Sequence, residues 1–249
     1  MKHTCRFLAL LLAMLLLLAA LPSASLAATK VKALKYNTWY STQDPAADNR
    51  KVYRLKLNAA TVVYVNWKNA NANSDFAEVD FCRDTDCTYV VDGMEMFYPA
   101  SGREGFLLYP GTYYVGIFDI KKGAKVRLSA VKASRLKKSN TSSGRAISLA
   151  RGKKAEAVFT RSNKGARWYK LKLTHKQVIK LYVNSCFLNH AGELSLYNSK
   201  LKEVALKEDW NNRCSVSKQK LAKGTYYIKL STDTAFLDAC GNYARVCWK

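Results

Sequence analysis

Acid, histidine and the signatures of catalysis are scarce in this sequence, and each shortage excludes something. Eighteen Asp and Glu stand against 41 Lys and Arg, a formal net charge of +23. Histidine occurs three times. His3 lies in the leader, and His175 and His190 fall in loop-like stretches with no H-e-x-x-H partner. There is no G-x-S-x-G elbow and no papain-like Cys context, so the common hydrolase chemistries are not indicated. No paired C-x-x-C knuckles accompany the two remaining histidines, which argues against a zinc finger. No apolar run after the leader is long enough to span a bilayer. Nor is there a long segment of 3.6-residue period, so a helical fold is excluded and short strands remain.

What is present begins with an export signal over residues 1–27. Lys2 and Arg6 supply a positive start, Phe7 to Leu21 is uninterrupted apolar, Pro22 ends the run, and Ser25-Leu26-Ala27 offers a cleavage site. The apolar run is shorter than the ~18–20 residues of a spanning helix. The expectation is a chain starting near Ala28, secreted or at the cell surface. Six cysteines then remain: Cys82, Cys87, Cys186, Cys214, Cys240 and Cys247. An even number in an exported chain reads as disulfides, and six cysteines allow ~15 pairings. Proximity favours Cys82–Cys87, Cys186–Cys214 and Cys240–Cys247.

The chain repeats itself. Leu108-Tyr-Pro-Gly-Thr-Tyr-Tyr-Val115 returns as Leu221-Ala-Lys-Gly-Thr-Tyr-Tyr-Ile228, and Val52-Tyr-Arg-Leu-Lys-Leu57 as Trp168-Tyr-Lys-Leu-Lys-Leu173. The offset drifts from 116 residues at Tyr53/Tyr169 to 113 at Gly111/Gly224, as strands align while loops change length. Alternation puts Tyr53, Leu55 and Leu57 inward with Arg54 and Lys56 outward. It also puts Tyr113, Val115 and Ile117, and likewise Tyr226, Ile228 and Leu230, in a core. The expected fold is all-β: two tandem antiparallel β-sandwich (jelly-roll-like) domains after the signal peptide. The expected boundaries are 28–133 for the first module, 134–145 for a basic linker and 146–249 for the second.

An aromatic pair opening an alternating strand (Trp168-Tyr-Lys-Leu-Lys-Leu173), an apolar strand, then L-x-x-G-T-Y-Y-[VI] and a Gly-led last strand resembles the bacterial pre-peptidase C-terminal domain, twice over. That resemblance implies secreted β-sandwiches of the kind appended to exported enzymes. Some related modules bind calcium, collagen or polysaccharide. This chain differs in its loop cysteines and its basic second half, and it contains no protease sequence.

The charge is uneven. Residues 28–133 carry 15 basic and 11 acidic side chains, whereas 134–249 carry 24 and 7. Such asymmetry points to a polyanionic partner for the second half. Lys170, Lys172 and Lys180 are assigned outward on its strands, with Trp168 on the same parity as the first two, a pairing suited to a sugar ring or acidic polymer. In the first half, Asp84, Asp86 and Asp92 belong to an acidic cluster around the Cys82–Cys87 loop that is a candidate for calcium, although without EF-hand spacing. The alternative for that cluster is docking against the basic half. No other cofactor is expected. The expected function is non-enzymatic binding of an extracellular polyanion or glycan, such as cell wall or mucin, and nucleic acid is not the expected partner. The rival expectation is an accessory, chaperone-like or inhibitory module that docks a separately encoded exported protein.

Overall fold

The computed structural model describes residues 31–40, 51–68, 78–95, 101–118, 124–209 and 214–249, the last without 234, 236, 238 and 239. The first-half strands are β1 (Trp39–Tyr40), β2 (Lys51–Leu57), β3 (Thr61–Lys68), β4 (Glu78–Cys82), β5 (Val90–Glu95), β6 (Gly102–Leu108), β7 (Gly111–Phe118) and β8 (Lys125–Lys132). They form two sheets, in the orders β1-β8-β3-β6 and β2-β7-β4-β5. Leu55, Leu57, Tyr113, Val115 and Ile117 from one sheet meet Val63, Val65, Phe106 and Leu128 from the other in a single core. Alternation dictates this, since Arg54 and Lys56 of β2 stay exposed while Leu55 and Leu57 are buried.

The second half repeats the plan with β9 (Ile147–Ser148), β10 (Lys154–Phe159), β11 (Arg167–Leu173), β12 (Lys180–Val183), β13 (Gly192–Asn198), β14 (Leu206–Asp209), β15 (Cys214–Ser217), β16 (Gly224–Thr232) and β17 (Asn242–Trp248). Its sheets run β13-β16-β11-β9 and β10-β17-β12-β15-β14. Tyr226, Ile228 and Leu230 enter its core beside Tyr169, Leu171 and Leu181, as their parity predicts. The copies share their central pairings, while β5 and β14 are edge strands particular to one copy each. β2 lies against β7 as β11 lies against β16, and a parallel contact at Ala33↔Arg54 is echoed by β9 on β11. Strands β1, β5, β6, β10, β14 and β15 go beyond what the sequence pattern indicates. β10 reads Lys-Ala-Glu-Ala-Val-Phe and β15 Cys-Ser-Val-Ser, compositions of weak strand preference that form because a neighbour supplies the ladder.

Residues 32–249 make one compact unit, because the two sandwiches are stacked rather than strung together. Val62 and Tyr64 of β3 and Leu107 of β6 project from the outer face of one sheet. They pack on Val158 of β10 and Tyr243 of β17, which project from the outer face of a sheet of the other sandwich, with Ala133 beside them. The expected linker is fastened too. Asn140, fully buried, accepts from the Trp168 N–H through its backbone and donates from Nδ2 to the Trp168 carbonyl.

A short helix, α1 (Ser185–Asn189), rivets the halves. Cys186 packs with the first core while its neighbour Phe187 lies in the second, stacked on Phe159 at 5.6 Å between ring centroids. Two glycines permit the close approach. A Cβ on Gly105 would lie 2.5 Å from the Tyr243 ring, and one on Gly241 2.4 Å from Leu107. Gly105→Ala should therefore force the stack apart and destabilise the protein by about 1–3 kcal/mol, the usual cost of overpacking. Urea unfolding checks it, with an equal midpoint for parent and variant as the contrary result.

Candidate functional site

The outward face of the sheet β13-β16-β11-β9 gathers aromatic and basic side chains. Because residues paired across an antiparallel ladder share a face, the register sets out the surface. Trp168 lies beside Lys229, and Lys229 beside Ser195. One step along, Ser148, Lys170, Tyr227 and Tyr197 form the next row, and Lys172 pairs with Thr225. Lys170 and Lys172 are exposed, while Trp168, Tyr197, Tyr227 and Lys229 are half-buried. The Trp168 and Tyr197 rings sit 5.4 Å apart at 39°, a continuous aromatic platform among lysines. A cavity of about 670 Å³ opens at its edge, lined in part by Arg151, Lys170, Lys172, Thr174 and Gln177.

The equivalent face of the first sandwich keeps the basic pair, with Arg54 beside Tyr114 and Lys56 beside Thr112, but lacks the aromatic platform. Where β11 and β16 put Trp168 and Lys229, the matching pair on β2 and β7 is Val52 and Gly116. Where Ser195 and Tyr197 flank β16, Asp80 and Cys82 flank β7. Identical scaffolds thus carry different surfaces.

Of the expected contact residues, Trp168, Lys170 and Lys172 come together and Lys180 does not. Lys180 begins β12 in the other sheet, opposite Val216 and beside the C-terminal residue. Tyr197, Tyr227 and Lys229 complete the face. Parity along β16, with Tyr226, Ile228 and Leu230 inward, turns Tyr227 and Lys229 outward, while only the register of β13 sets Tyr197 beside Tyr227. A second hollow, about 1090 Å³, lies at the seam. Many of its polar groups are already engaged there: Arg103 stacks on Tyr64, Arg245 donates to the Arg103 carbonyl, and Asn184 donates to Glu104.

None of the six cysteines is in a disulfide in this structure. The Cys82 and Cys87 thiols are in hydrogen-bond contact. Cys186 lies with the first core and Cys214 beside Tyr182. Cys240 and Cys247 cannot pair as sequence proximity favoured. Strand β17 separates them by more than about 15 Å at ~3.3 Å per residue, and a disulfide tolerates only ~7 Å between Cα atoms.

The calcium expectation is also corrected, since Asp84, Asp86 and Asp92 do not converge. Asp84 closes its own loop, accepting from the Thr88 and Tyr89 backbone N–H groups and the Thr88 hydroxyl. Asp86 accepts from Thr85. Asp92 pairs across the ladder with Phe81 and therefore turns inward. There it meets His190, with 3.3 Å between Oδ1 and Nε2, and Cys240; this is the group of potential metal ligands that assembles among the described residues. Asp92 thus meets the second half at His190 and Cys240, whereas Asp84 and Asp86 bond within their own loop. His190 is not set up as a base for thiol catalysis on Cys240. Burial holds the imidazole below its usual range and pushes the thiol up to about 12, the reverse of an activated thiolate. The other histidine, His175, touches only its neighbour Thr174 by hydrogen bond.

No family model and no curated protein matches the chain. Among solved structures it is similar to the pre-peptidase C-terminal domain of a Bacillus anthracis collagenase, at 11% identity and a TM-score of 0.33, over 42% of this chain and 94% of that one. It is similar to a periplasmic inhibitor of g-type lysozyme from Salmonella Typhimurium at 13% identity and 0.29, over 42% and 100%. It also matches tripeptidyl peptidase 2 at 10% identity and 0.23, over 85% and 22%. Likenesses of this size carry no argument about activity.

Hydrogen bonds from Thr88 and Tyr89 hold the Asp84 carboxyl down at about 2. A depressed folded value means that the loop is fully supported above the ordinary carboxylate pKa near ~3.9 and loses support as pH falls towards 2. Amide exchange at Thr88 and Tyr89 should quicken over that interval, and Asp84→Asn should quicken it already at neutral pH. Unchanged protection in the variant would refute the assignment.

Proposed function

We propose that this is an exported, non-enzymatic binding protein whose second sandwich engages an extracellular polyanion or acidic glycan. The observation that carries the reading is the contrast between matched faces. At equivalent ladder positions the second copy places Trp168, Lys229 and Tyr197 where the first places Val52, Gly116 and Cys82. Trp168, Lys229 and Tyr197 are on the face turned away from the second core, so the packing of that sandwich does not call for them. An aromatic platform favours the apolar face of a sugar ring, and lysines at its edge favour carboxylate, phosphate or sulfate groups. The cavity beside Arg151, Lys170 and Lys172 gives an acidic substituent a concave place to sit. Export follows from the leader at residues 1–27.

Heparin, as a soluble polyanion, and isolated cell wall serve as probes. Binding should weaken steeply between low and high salt, because exposed charges are screened beyond ~8 Å at physiological ionic strength. The double substitution Lys170→Glu/Lys172→Glu should reduce low-salt affinity by about tenfold or more, and Trp168→Ala should reduce it too. Lys180→Glu, on the other sheet, should do much less. Equal loss from Lys180→Glu would assign binding to bulk charge. Salt-independent capture of one defined exported protein would replace the glycan reading with the accessory one.

A further inference from the structure

Three chain segments with no local relation meet at the seam. Asp92 comes from β5 of the first sandwich, His190 from the end of α1, and Cys240 from the turn before β17. Their ligand atoms all lie within 4.8 Å of one another. The Asp92 side chain is 1% exposed and that of His190 27%, so the cluster is buried on two sides and reached by solvent past the imidazole.

Each member is held from behind. The Gly93 N–H donates to Asp92 Oδ1 at 2.9 Å, orienting the carboxylate. The His190 N–H donates to the Cys186 carbonyl, and the His190 carbonyl accepts from Asn242 Nδ2 at 2.9 Å. The residue after Cys240 is anchored too, its Gly241 N–H donating to the Leu107 carbonyl at 2.9 Å. Such outer contacts fix ligands before an ion arrives.

We propose that Asp92, His190 and Cys240 form a divalent transition-metal site of the zinc type, clamping the two sandwiches together. One oxygen, one nitrogen and one sulfur ligand suit Zn²⁺, whereas Ca²⁺ requires an all-oxygen shell of six or more. Metal–ligand bonds of ~2.0–2.3 Å place tetrahedral ligand atoms ~3.3–3.7 Å apart. The 3.3 Å between His190 Nε2 and Asp92 Oδ1 is already such an edge. The fourth position, on the open side by His190, would take water. Binding exchanges the Cys240 thiol proton, and any proton on the Asp92 carboxyl or on the ligating imidazole nitrogen, for the ion and releases them to solvent.

The test uses the whole exported protein, reduced and stripped with a chelator, and titrated with Zn²⁺ and Co²⁺. One equivalent should bind and raise the melting temperature, and Co²⁺ should show a thiolate charge-transfer band with tetrahedral visible absorption. His190→Ala and Cys240→Ser should each weaken Zn²⁺ binding by at least ~10-fold, while His175→Ala should not. Asp92→Asn is the alternative variant should loss of Cys240 disturb folding, with near-UV circular dichroism as the check. No stoichiometric binding by the parent, parent-like affinity in folded variants, or peptide mapping that finds Cys240 in a disulfide would overturn the site. Salt-dependent heparin binding is a separate readout, so failure here leaves the proposed function standing.

Discussion

Strands β3 and β17 are shut away from water on both faces, and much of the molecule follows from that. Val63, Val65 and Trp67 of β3 enter the first core while Val62 and Tyr64 face the other sandwich. Ala244, Val246 and Trp248 of β17 enter the second core while Tyr243 faces back. Antiparallel sheets usually keep one face wet. Here each sandwich gives up one such face, and the apolar side chains there bring ~25 cal/mol per Å² of buried surface to the stack.

Burying those faces obliges every polar group between them to find a partner. Glu156 accepts from the Tyr243 hydroxyl at 2.7 Å and from Tyr64 at 3.3 Å. Asn184 donates to Glu104 at 2.6 Å and to the Tyr243 carbonyl, and accepts from the Arg245 N–H. Burial pushes the Glu104 carboxyl up and the Tyr243 hydroxyl well above the phenol range, the cost of holding both groups between the sheets. These bonds fix the angle and register of the stack, which apolar contact alone leaves loose.

The same arrangement decides what remains for recognition. Since the inner sheets face one another, the outer sheets are the broad surfaces left to a partner. Duplication made those outer faces equivalent, and substitution at outward positions made them different without touching either core. Stacking also brings Asp92 to His190 and Cys240, a meeting that neither half contains alone.

How much of this was legible in the sequence depends on the range of the interaction. Alternation in Tyr53 to Leu57 and Trp168 to Leu173 set the inward and outward sides. The repeated Gly-Thr-Tyr-Tyr announced the paired core strands, and Lys170, Lys172 and Trp168 stand where parity assigned them. The uninterrupted apolar run from Val62 to Val65 was visible as well, and it is the signature of a strand buried twice. The run by itself does not say what covers its second face. Tertiary structure alone decided the rest: that Lys180 belongs to another sheet, that Cys240 and Cys247 lie at opposite ends of β17, and that Asp92 leaves its acidic neighbours for a histidine 98 positions away. The physical reason is that side-chain direction along a strand is a local, two-residue property written in the chain, whereas which strand lies beside which, and which sheet covers which, is settled only when distant apolar faces compete to leave water.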